Sequence, residues 1–307
     1  MRFHVSVTAL ACLTALAASA ELIPAKQPVE SDGARRTYIF KKTPQGELKV
    51  HVYLPEGWQA SQHYPAIVMF FGGGFTGGTP EQFHTKALYL ASRGMVALTP
   101  EYRVKTRHKT DPSKSIEDAK SAIRWTRLNA AVLGIDPARV VGSGGSAGGT
   151  CAALTALSTA YEPAGEDASI SSQPNALVLY NPALAPPGTE SDKPGIGVVT
   201  AWKVHKGDPP MIFFFGSEDS LLPGSRLVAR QSVASGNRAE LYTAAGQKHG
   251  FFNDTKTAKN GSPGWHDSVL YQTDLFLASL GYLQGKPTVT FEGPHLKLKQ
   301  ESLDGGL

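Results

Sequence analysis

The most constraining feature of this sequence is a run of small residues near its middle, at positions 139–157. Val140 and Val141 predict a short buried strand, and the residues that end the run predict a helix. Between them, residues 144–148 read Gly-Gly-Ser-Ala-Gly and fit the pattern G-x-S-x-G around Ser146. After a strand and before a helix, this pattern is typical of a nucleophile elbow, a sharp turn that exposes a serine hydroxyl. The pattern alone also fits a Gly/Ser loop, so the rest of the chain must decide between the two.

The first twenty residues are typical of a secretory signal peptide. Arg2 supplies the positive charge, an apolar stretch runs to Ala18, and Ala18-Ser19-Ala20 fits an A-x-A cleavage site before Glu21. The stretch is too short for a comfortable membrane span, and the alternative is a buried N-terminal helix. We therefore predict that residues 1–20 are removed, that the protein is secreted or periplasmic, and that it has no stable membrane insertion.

Composition narrows the class of protein. The net charge of +4 is scattered along the chain, so we expect no nucleic-acid partner. Without the signal peptide, Cys151 is the one cysteine left; it can form no intramolecular disulfide and should be a small buried hydrophobe. The remaining length suits one large domain whose core needs no metal, so we expect neither a metal nor a cofactor. The sequence does not define the oligomeric state.

The order of predicted elements indicates an α/β fold. Residues 47–54 alternate between apolar and polar, as in a half-buried antiparallel strand, whereas residues 66–71 are apolar throughout, as in a strand covered on both faces. Strands are predicted at 38–41, 47–54, 66–71, 95–99, 140–141, 176–180, 211–215 and 240–243, and helices at 80–92, 115–133 and 266–280. This order predicts an eight-stranded, mostly parallel, doubly wound sheet with helices on both faces.

We divide the chain into four segments. They are the signal peptide (1–20), an N-terminal arm packed over the surface (21–36), the catalytic domain (37–284) and a C-terminal tail (285–307). Ligands bind at the carboxyl ends of the strands in such sheets. The chemistry is therefore expected in the loops that follow the buried strands.

Two of these loops contain the partners that a serine nucleophile needs. A serine hydroxyl requires a base to take its proton, and the base requires a third group to orient it. Asp219 directly follows a buried strand and His249 follows the last strand, in the order serine, acid, histidine. Taken singly, the first could be a turn former and the second a solvated surface group. Together they predict a triad of Ser146, His249 and Asp219, with Glu218, Asp192 and Asp254 as rival acids.

A glycine-rich loop follows the third predicted strand. Residues 72–74 are all glycine and lie between Phe71 and Phe75. Backbone N–H groups can stabilise the oxyanion of an acyl-transfer reaction, and glycine lets the backbone approach the substrate. We predict Gly73, Gly74 and Ala147 as the oxyanion-hole donors. The alternative, a flexible linker, fits poorly after a fully buried strand.

Several short motifs together resemble a known family. The motifs are Gly72–Phe75, Glu101–Arg103, Asp136–Val140, Gly144–Gly149 and His249–Phe251. Through these motifs the sequence is similar to the α/β-hydrolase esterases related to hormone-sensitive lipase and to bacterial acetyl esterases, over roughly residues 38–283. The resemblance implies an α/β-hydrolase fold and a serine esterase. One position departs from it: Phe71 stands where hormone-sensitive lipase relatives carry a histidine that helps to brace the glycine-rich loop.

The sequence indicates the substrate less clearly than it indicates the reaction. Residues 182–210, where this family inserts lids, are few and rich in Gly and Pro. A short cap favours small acyl groups, and Phe75, Trp202, Phe251 and Trp265 are candidate pocket walls, although loop aromatics are as often plain packing. The sequence also resembles secreted bacterial esterases of polysaccharide-degrading systems, which makes acetylated carbohydrates a candidate substrate.

The leading interpretation is a secreted serine carboxylesterase that hydrolyses short-chain esters, of small molecules or carbohydrates, through an acyl-enzyme. One alternative is a peptidase of the prolyl-oligopeptidase type, which usually carries a propeller domain for which this chain has no residues. The other is a binding protein that kept the fold and lost the chemistry. Such proteins typically lack a triad member, and this sequence retains all three candidates.

Overall fold

The eight predicted strands and three further short ones form one eleven-stranded sheet in the computed structural model, which describes residues 20–33, 35–190, 196–256, 260–290 and 296–304. The predicted signal peptide, except for Ala20, lies outside the described residues. The strands are β1 (Glu21–Leu22), β2 (Glu30–Ser31), β3 (Arg35–Thr43), β4 (Gly46–Tyr53), β5 (Tyr64–Phe70), β6 (Val96–Pro100), β7 (Ile135–Gly145), β8 (Ala176–Tyr180), β9 (Met211–Gly216), β10 (Ala239–Ala244) and β11 (Lys299–Gln300).

Helices cover both faces of the sheet. They are α1 (His84–Ser92), α2 (Lys105–His108), α3 (Pro112–Leu128), α4 (Ala130–Leu133), α5 (Ala147–Leu157), α6 (Ile196–Val199), α7 (Leu222–Ala234) and α8 (Trp265–Ser279). A 3₁₀ turn, Pro80–Phe83, leads into α1. None of the helices within the described ranges is long and apolar enough to cross a bilayer.

The strand order confirms the predicted fold class. It runs β1-β3-β4-β6-β5-β7-β8-β9-β10-β11, with β2 also paired to β3. The pairs from β6 through β5, β7, β8 and β9 to β10 are parallel, and the pairs at both edges are antiparallel. The eight predicted strands correspond to β3–β10.

The N-terminal arm and the C-terminal tail extend the sheet, which the sequence did not predict. β1 and β2 pair with β3, which begins at Arg35 inside the predicted arm, and β11 pairs with β10. An edge strand offers unpaired N–H and C=O groups that a short segment can satisfy without an apolar pattern of its own. The arm is also fastened to α3, because Trp125 Nε1 donates to Ile23 O at 2.6 Å.

The helix predicted over residues 115–133 is wrong in one respect, since Asn129 separates α3 from α4. The Asn129 side chain is buried; it accepts a hydrogen bond from Ala25 N and donates one to Trp125 O, both at 2.8 Å. The side chain therefore connects the N-terminal arm to the end of α3. α3 also begins earlier than predicted, at Pro112, because the Asp111 side chain caps it by accepting from Ser113 N.

The register of the central strands brings the predicted loops to one edge. Phe70 lies opposite Gly144, Gly145 opposite Tyr180, and Tyr180 opposite Phe214. The carboxyl ends of β5, β7, β8, β9 and β10 are therefore neighbours.

Alternate residues of each strand enter separate cores: Leu177 and Leu179 pack with α3 and α5, whereas Val178 and Tyr180 pack with α1 and α8. Cys151 is a free thiol buried in the first core, as predicted.

Candidate active site

Ser146 lies at the tip of the turn between β7 and α5. Its backbone has φ 52° and ψ −122°, a conformation that a residue with a side chain rarely adopts. The turn is held by hydrogen bonds from Ser146 N to Tyr180 O and from Thr150 N to Ser146 O, both 2.9 Å. The strand, the strained turn and the helix predicted for G-x-S-x-G are all present.

The glycines of the motif are required by close backbone approach. A β-carbon on Gly144 would lie 2.3 Å from Gly148 O, and one on Gly148 would lie 2.1 Å from Phe70 O. Real β-carbons do not come so close to another atom, so a larger residue at either position would push β5, β7 and α5 apart. These contacts explain why the residues around the serine are small.

His249 and Asp219 meet Ser146 at this edge of the sheet. His249 Nε2 lies 2.9 Å from Ser146 Oγ, and His249 Nδ1 lies 2.8 Å from Asp219 Oδ2. The Asp219 side chain is fully buried, and its Oδ1 accepts the N–H of Leu221 at 3.0 Å. The histidine side chain remains 38% exposed. The three predicted residues therefore form a continuous hydrogen-bonded chain; its catalytic role stays a prediction.

The rival acids are placed differently. Glu218 is exposed, and its backbone N–H, not its carboxylate, contributes to the loop by donating to Gln247 O. Asp254 accepts the N–H of Lys256 at 2.9 Å, and Asp192 lies outside the described residues. Asp219 is the carboxylate that is bonded to His249 in the described part of the chain.

Asn181 is a site residue that the sequence analysis missed. It directly follows β8, has φ 35°, and is fully buried. Its Nδ2 lies 2.8 Å from Nδ1 and 3.1 Å from Nε2 of His249, so the amide packs over the ring and not along one N–H direction. Its Oδ1 has no hydrogen-bond partner among the described residues. An Asn-Pro pair at the carboxyl end of a buried strand was the available signal.

The glycine-rich loop turns sharply after β5. Gly73 and Gly74 have φ of 129° and 62°, and both are exposed beside the buried Gly72. Gly73 O accepts from Thr76 N at 3.0 Å, which closes the turn, while none of the described residues accepts from the N–H of Gly73 or Gly74. Free donors in a fixed turn suit an anionic oxygen. The role of these two residues and of Ala147 in an oxyanion hole stays a prediction.

Phe71 supports this loop in a different manner from a histidine. Its ring stacks on Tyr102 with centroids 4.1 Å apart, and the Tyr102 hydroxyl donates to Phe71 O at 2.6 Å. Burial raises the pKa of Tyr102 well above its usual value, so the hydroxyl keeps its proton. The next residue, Arg103, is fixed by the buried Asp118 carboxylate at 2.8 and 2.9 Å. The Glu101–Arg103 motif therefore anchors the base of the glycine-rich loop.

The four candidate pocket walls are all largely buried. Trp202 is 3% exposed and donates to Ala185 O at 2.7 Å, which fastens the short segment between β8 and β9. Phe251 is 1% exposed and packs edge-on against Trp265. Phe75 is 7% exposed with φ 59°. Packing accounts for the contacts seen, and a second role against an ester stays a prediction.

Lys86 is hydrogen-bonded to the loop that carries His249. This α1 residue is buried, and its Nζ donates to Phe252 O at 2.8 Å. Desolvation lowers the pKa of Lys86 to about 7, although Asp254 and Asp267 act in the opposite direction. The folded protein thus holds a largely neutral amine above pH 7, where the unfolded chain binds a proton.

We expect the free energy of unfolding to rise with pH because of Lys86. Between pH 7 and 9 the unfolded state carries a proton that the folded state lacks, so stability should increase by about 2 kcal/mol in the wild type relative to Lys86→Met. Urea unfolding of both proteins at pH 7, 8 and 9 measures this difference. Parallel pH curves would mean that Lys86 stays charged when buried.

The described residues contain no group of three or more His, Cys, Asp or Glu that could hold a metal ion.

The chain is similar to a family model and to solved structures of known proteins. The family model described as BD-FAE matches residues 50–177. Esterase 2 of Thermogutta terrifontis is similar in structure: its propionate-bound form has a TM-score of 0.76 and 39% identity, covering 83% of this chain and 97% of that one. Its butyrate-bound form has a TM-score of 0.74 and 37% identity, with the same coverage.

A curated relative matches over a shorter stretch. Carboxylesterase NlhH of Mycobacterium tuberculosis is 31% identical over 111 residues, which is 36% of this chain and 34% of the relative. The match thus spans about a third of that relative's length. The similarity to Thermogutta terrifontis esterase 2 covers 83% of this chain and 97% of that one. Together with the strand order, it shows that this chain belongs to the α/β-hydrolase fold esterases of the hormone-sensitive-lipase type.

Proposed function

We propose that this protein is a serine carboxylesterase that hydrolyses short-chain esters through an acyl-enzyme on Ser146. The observation that carries the proposal is the hydrogen-bonded chain from Ser146 Oγ through His249 to the buried Asp219, at 2.9 and 2.8 Å. A hydroxyl bonded to an imidazole whose other nitrogen is held by a carboxylate is the arrangement that acyl transfer requires. Membership of an esterase family supports the same reaction class.

The reaction proceeds in two halves. Ser146 Oγ attacks the ester carbonyl carbon while His249 Nε2 takes the hydroxyl proton, and the N–H groups of Gly73, Gly74 and Ala147 stabilise the oxyanion. The bond to the alcohol oxygen breaks, and His249 returns the proton so that a neutral alcohol leaves. Water then attacks the acyl-enzyme with His249 again as base, which releases the carboxylic acid and restores the serine hydroxyl.

The small segment between β8 and β9 supports a preference for short acyl groups. Its described part contains a single four-residue helix, α6, and is fastened by the hydrogen bond between Trp202 and Ala185. Such a segment covers little of a long chain. Propionate and butyrate are the groups named as bound in the structures of the related esterase 2, which is consistent with small acids.

We expect kcat/KM to be highest for acetyl to butyryl esters and to fall from about eight carbons onward, because each buried methylene contributes about 0.8 kcal/mol only while the protein can cover it. A series of p-nitrophenyl esters from two to twelve carbons measures this dependence. The Ser146→Ala protein corrects for spontaneous hydrolysis. A maximum at ten or more carbons would contradict the proposal for short chains.

The proposed location is outside the cytoplasm, on the basis of the predicted signal peptide at residues 1–20. There an esterase would meet polymeric carbohydrate more readily than metabolites, so we propose deacetylation of sugar esters as the physiological reaction. N-terminal sequencing of protein exported by a host with secretion machinery should begin at Glu21. Acetate release from acetylated xylan tests the substrate, and an inert polymer with active aryl esters would remove the carbohydrate part of the proposal.

Two other functions are distinguished by substrate. A prolyl-oligopeptidase-type enzyme would cleave a proline-containing peptide amide, and a binding protein on this fold would cleave neither amide nor ester. The intact chain of Ser146, His249 and Asp219 supports catalysis over binding. Parallel assays with an aryl acetate and a prolyl anilide separate all three functions.

A further inference from the structure

Two loops of the candidate site meet at one side chain, Gln82, in the 3₁₀ turn before α1. Gln82 Oε1 accepts the N–H of Gly72 at 2.5 Å, and its Nε2 donates to Asn253 Oδ1 at 2.8 Å. Gly72 begins the glycine-rich loop, and Asn253 lies four residues after His249. A single half-buried amide therefore connects the loop of the oxyanion donors to the loop of the histidine.

The hydrogen-bond pattern leaves only one orientation for this amide. The backbone N–H of Gly72 can only donate, so Gln82 must present its oxygen there and its NH₂ group to Asn253. Asn253 is buried; its Oδ1 accepts from Gln82, and its Nδ2 donates in turn to Asn260 Oδ1 at 2.9 Å, so the donor-to-acceptor order continues along the chain. Such a chain of bonds has fixed donors and acceptors, and it resists the rotation of any one member.

The contact lies close to the nucleophile. A β-carbon built on Gly72 would lie 3.3 Å from Ser146 Cβ and 3.5 Å from Gln82 Oε1. Gly73, whose N–H is a predicted oxyanion donor, is the next residue in the chain. The direction in which the Gly72 peptide is held therefore helps to set where the following N–H groups point.

We propose that Gln82 is a positioning residue that holds the oxyanion loop and the His249 loop in register with each other. It does not touch the substrate in this proposal; it acts through Gly72 and Asn253. The inference rests on the proposed ester hydrolysis, because it assigns Gln82 to the two halves of that site. Donors that must meet a developing charge require such support to stay within hydrogen-bonding distance.

The first test compares Gln82→Met, which keeps the length of the side chain and removes both hydrogen bonds, with Gln82→Glu, which keeps an acceptor for Gly72. We expect kcat to fall about 10- to 100-fold in Gln82→Met with KM changed less than about twofold, and to fall less in Gln82→Glu. Glu81→Gln is the matched control, because it alters the adjacent, exposed residue of the same turn and should keep wild-type kcat.

A second measurement separates positioning from general stability. Replacing the carbonyl oxygen of the ester by sulfur gives a weaker hydrogen-bond acceptor, so an intact oxyanion hole favours the oxygen ester over the thionoester. We expect this preference to shrink in Gln82→Met by about the same factor as kcat. A variant that merely unfolds more readily would lose both activities equally and keep the preference.

A third measurement needs no turnover. When Ser146 attacks a serine-directed phosphonate, negative charge develops on the phosphoryl oxygen. The rate at which the phosphonate labels Ser146 should therefore fall in Gln82→Met as kcat does. If the wild type hydrolyses no ester, the proposed function fails and this labelling rate still tests Gln82. Unchanged kcat, labelling and oxygen preference in a folded Gln82→Met would overturn the inference. If Gln82→Met does not fold, Gln82→Glu is measured in the same three assays and wild-type values would likewise overturn it.

Discussion

Ser146→Ala should be a folded protein with about a millionfold lower kcat on an aryl acetate. The hydroxyl is the atom bonded to His249 Nε2 at 2.9 Å, and alanine leaves the imidazole with no proton to take. The loss should approach that of the whole triad, because the three residues act as one unit. Alanine has nearly the same steric demand at φ 52°, so the turn should persist, and the denaturant midpoint should stay within experimental error.

The measurement combines kinetics with covalent labelling. A phosphonate should label Ser146 in the wild type, identified by peptide mass, and should leave Ser146→Ala unlabelled. Ser92→Ala is the matched control, because Ser92 is exposed at the end of α1 and its Oγ donates to Tyr89 O, away from the candidate site. Labelling at another serine, or turnover retained in Ser146→Ala, would remove Ser146 as the nucleophile.

The site was predictable from the sequence where a strand ends in a distinctive residue. Asp219 and His249 follow β9 and β10, and parallel strands deliver their carboxyl ends to one edge whatever the length of the helices between them. The serine turn was equally visible, since β-carbons at Gly144 and Gly148 would lie only 2.3 and 2.1 Å from other backbone atoms. Local chemistry and topology both point to the same residues.

The residues that support the site were not predictable in this way. Gln82 is hydrogen-bonded to Gly72 and to Asn253, which lies 171 residues away in the chain. Asn181 contacts His249, which lies 68 residues away. An amide in a turn is common in any loop, and its function depends on what folds against it. Periodicity carries no information about such contacts.

The edges of the sheet were missed for a related reason. β1, β2 and β11 are two residues each, and they are held by backbone bonds to β3 and β10 and not by an apolar pattern. Asn129 likewise interrupts a helical pattern, because its side chain bonds to Ala25 in the arm. In each case the fold uses a hydrogen bond between segments that the sequence presents as independent.

Asp219→Asn should lower kcat about 10⁴-fold while Glu218→Gln changes it little. Asp219 Oδ2 accepts from His249 Nδ1 at 2.8 Å, so the carboxylate fixes the tautomer whose Nε2 can accept the serine proton. An amide at this position can donate to Nδ1, which favours the opposite tautomer with its proton on Nε2. The adjacent Glu218 is exposed and has the same charge, so its variant controls for the loss of one negative charge near the site.

The comparison is made at saturating substrate, where kcat reports the bound complex. Both proteins should unfold cooperatively. The buried Asp219 side chain also accepts a hydrogen bond from Leu221 N at 3.0 Å, and the substitution weakens this bond. The denaturant midpoint of Asp219→Asn must therefore be measured beside its kcat. An asparagine oxygen can still accept from Leu221, which limits that change in stability. A large loss in Glu218→Gln with activity retained in Asp219→Asn would transfer the acid role to Glu218. Equal losses in both variants would mean that net charge near His249, and not the hydrogen bond that His249 donates to Asp219, sets the rate.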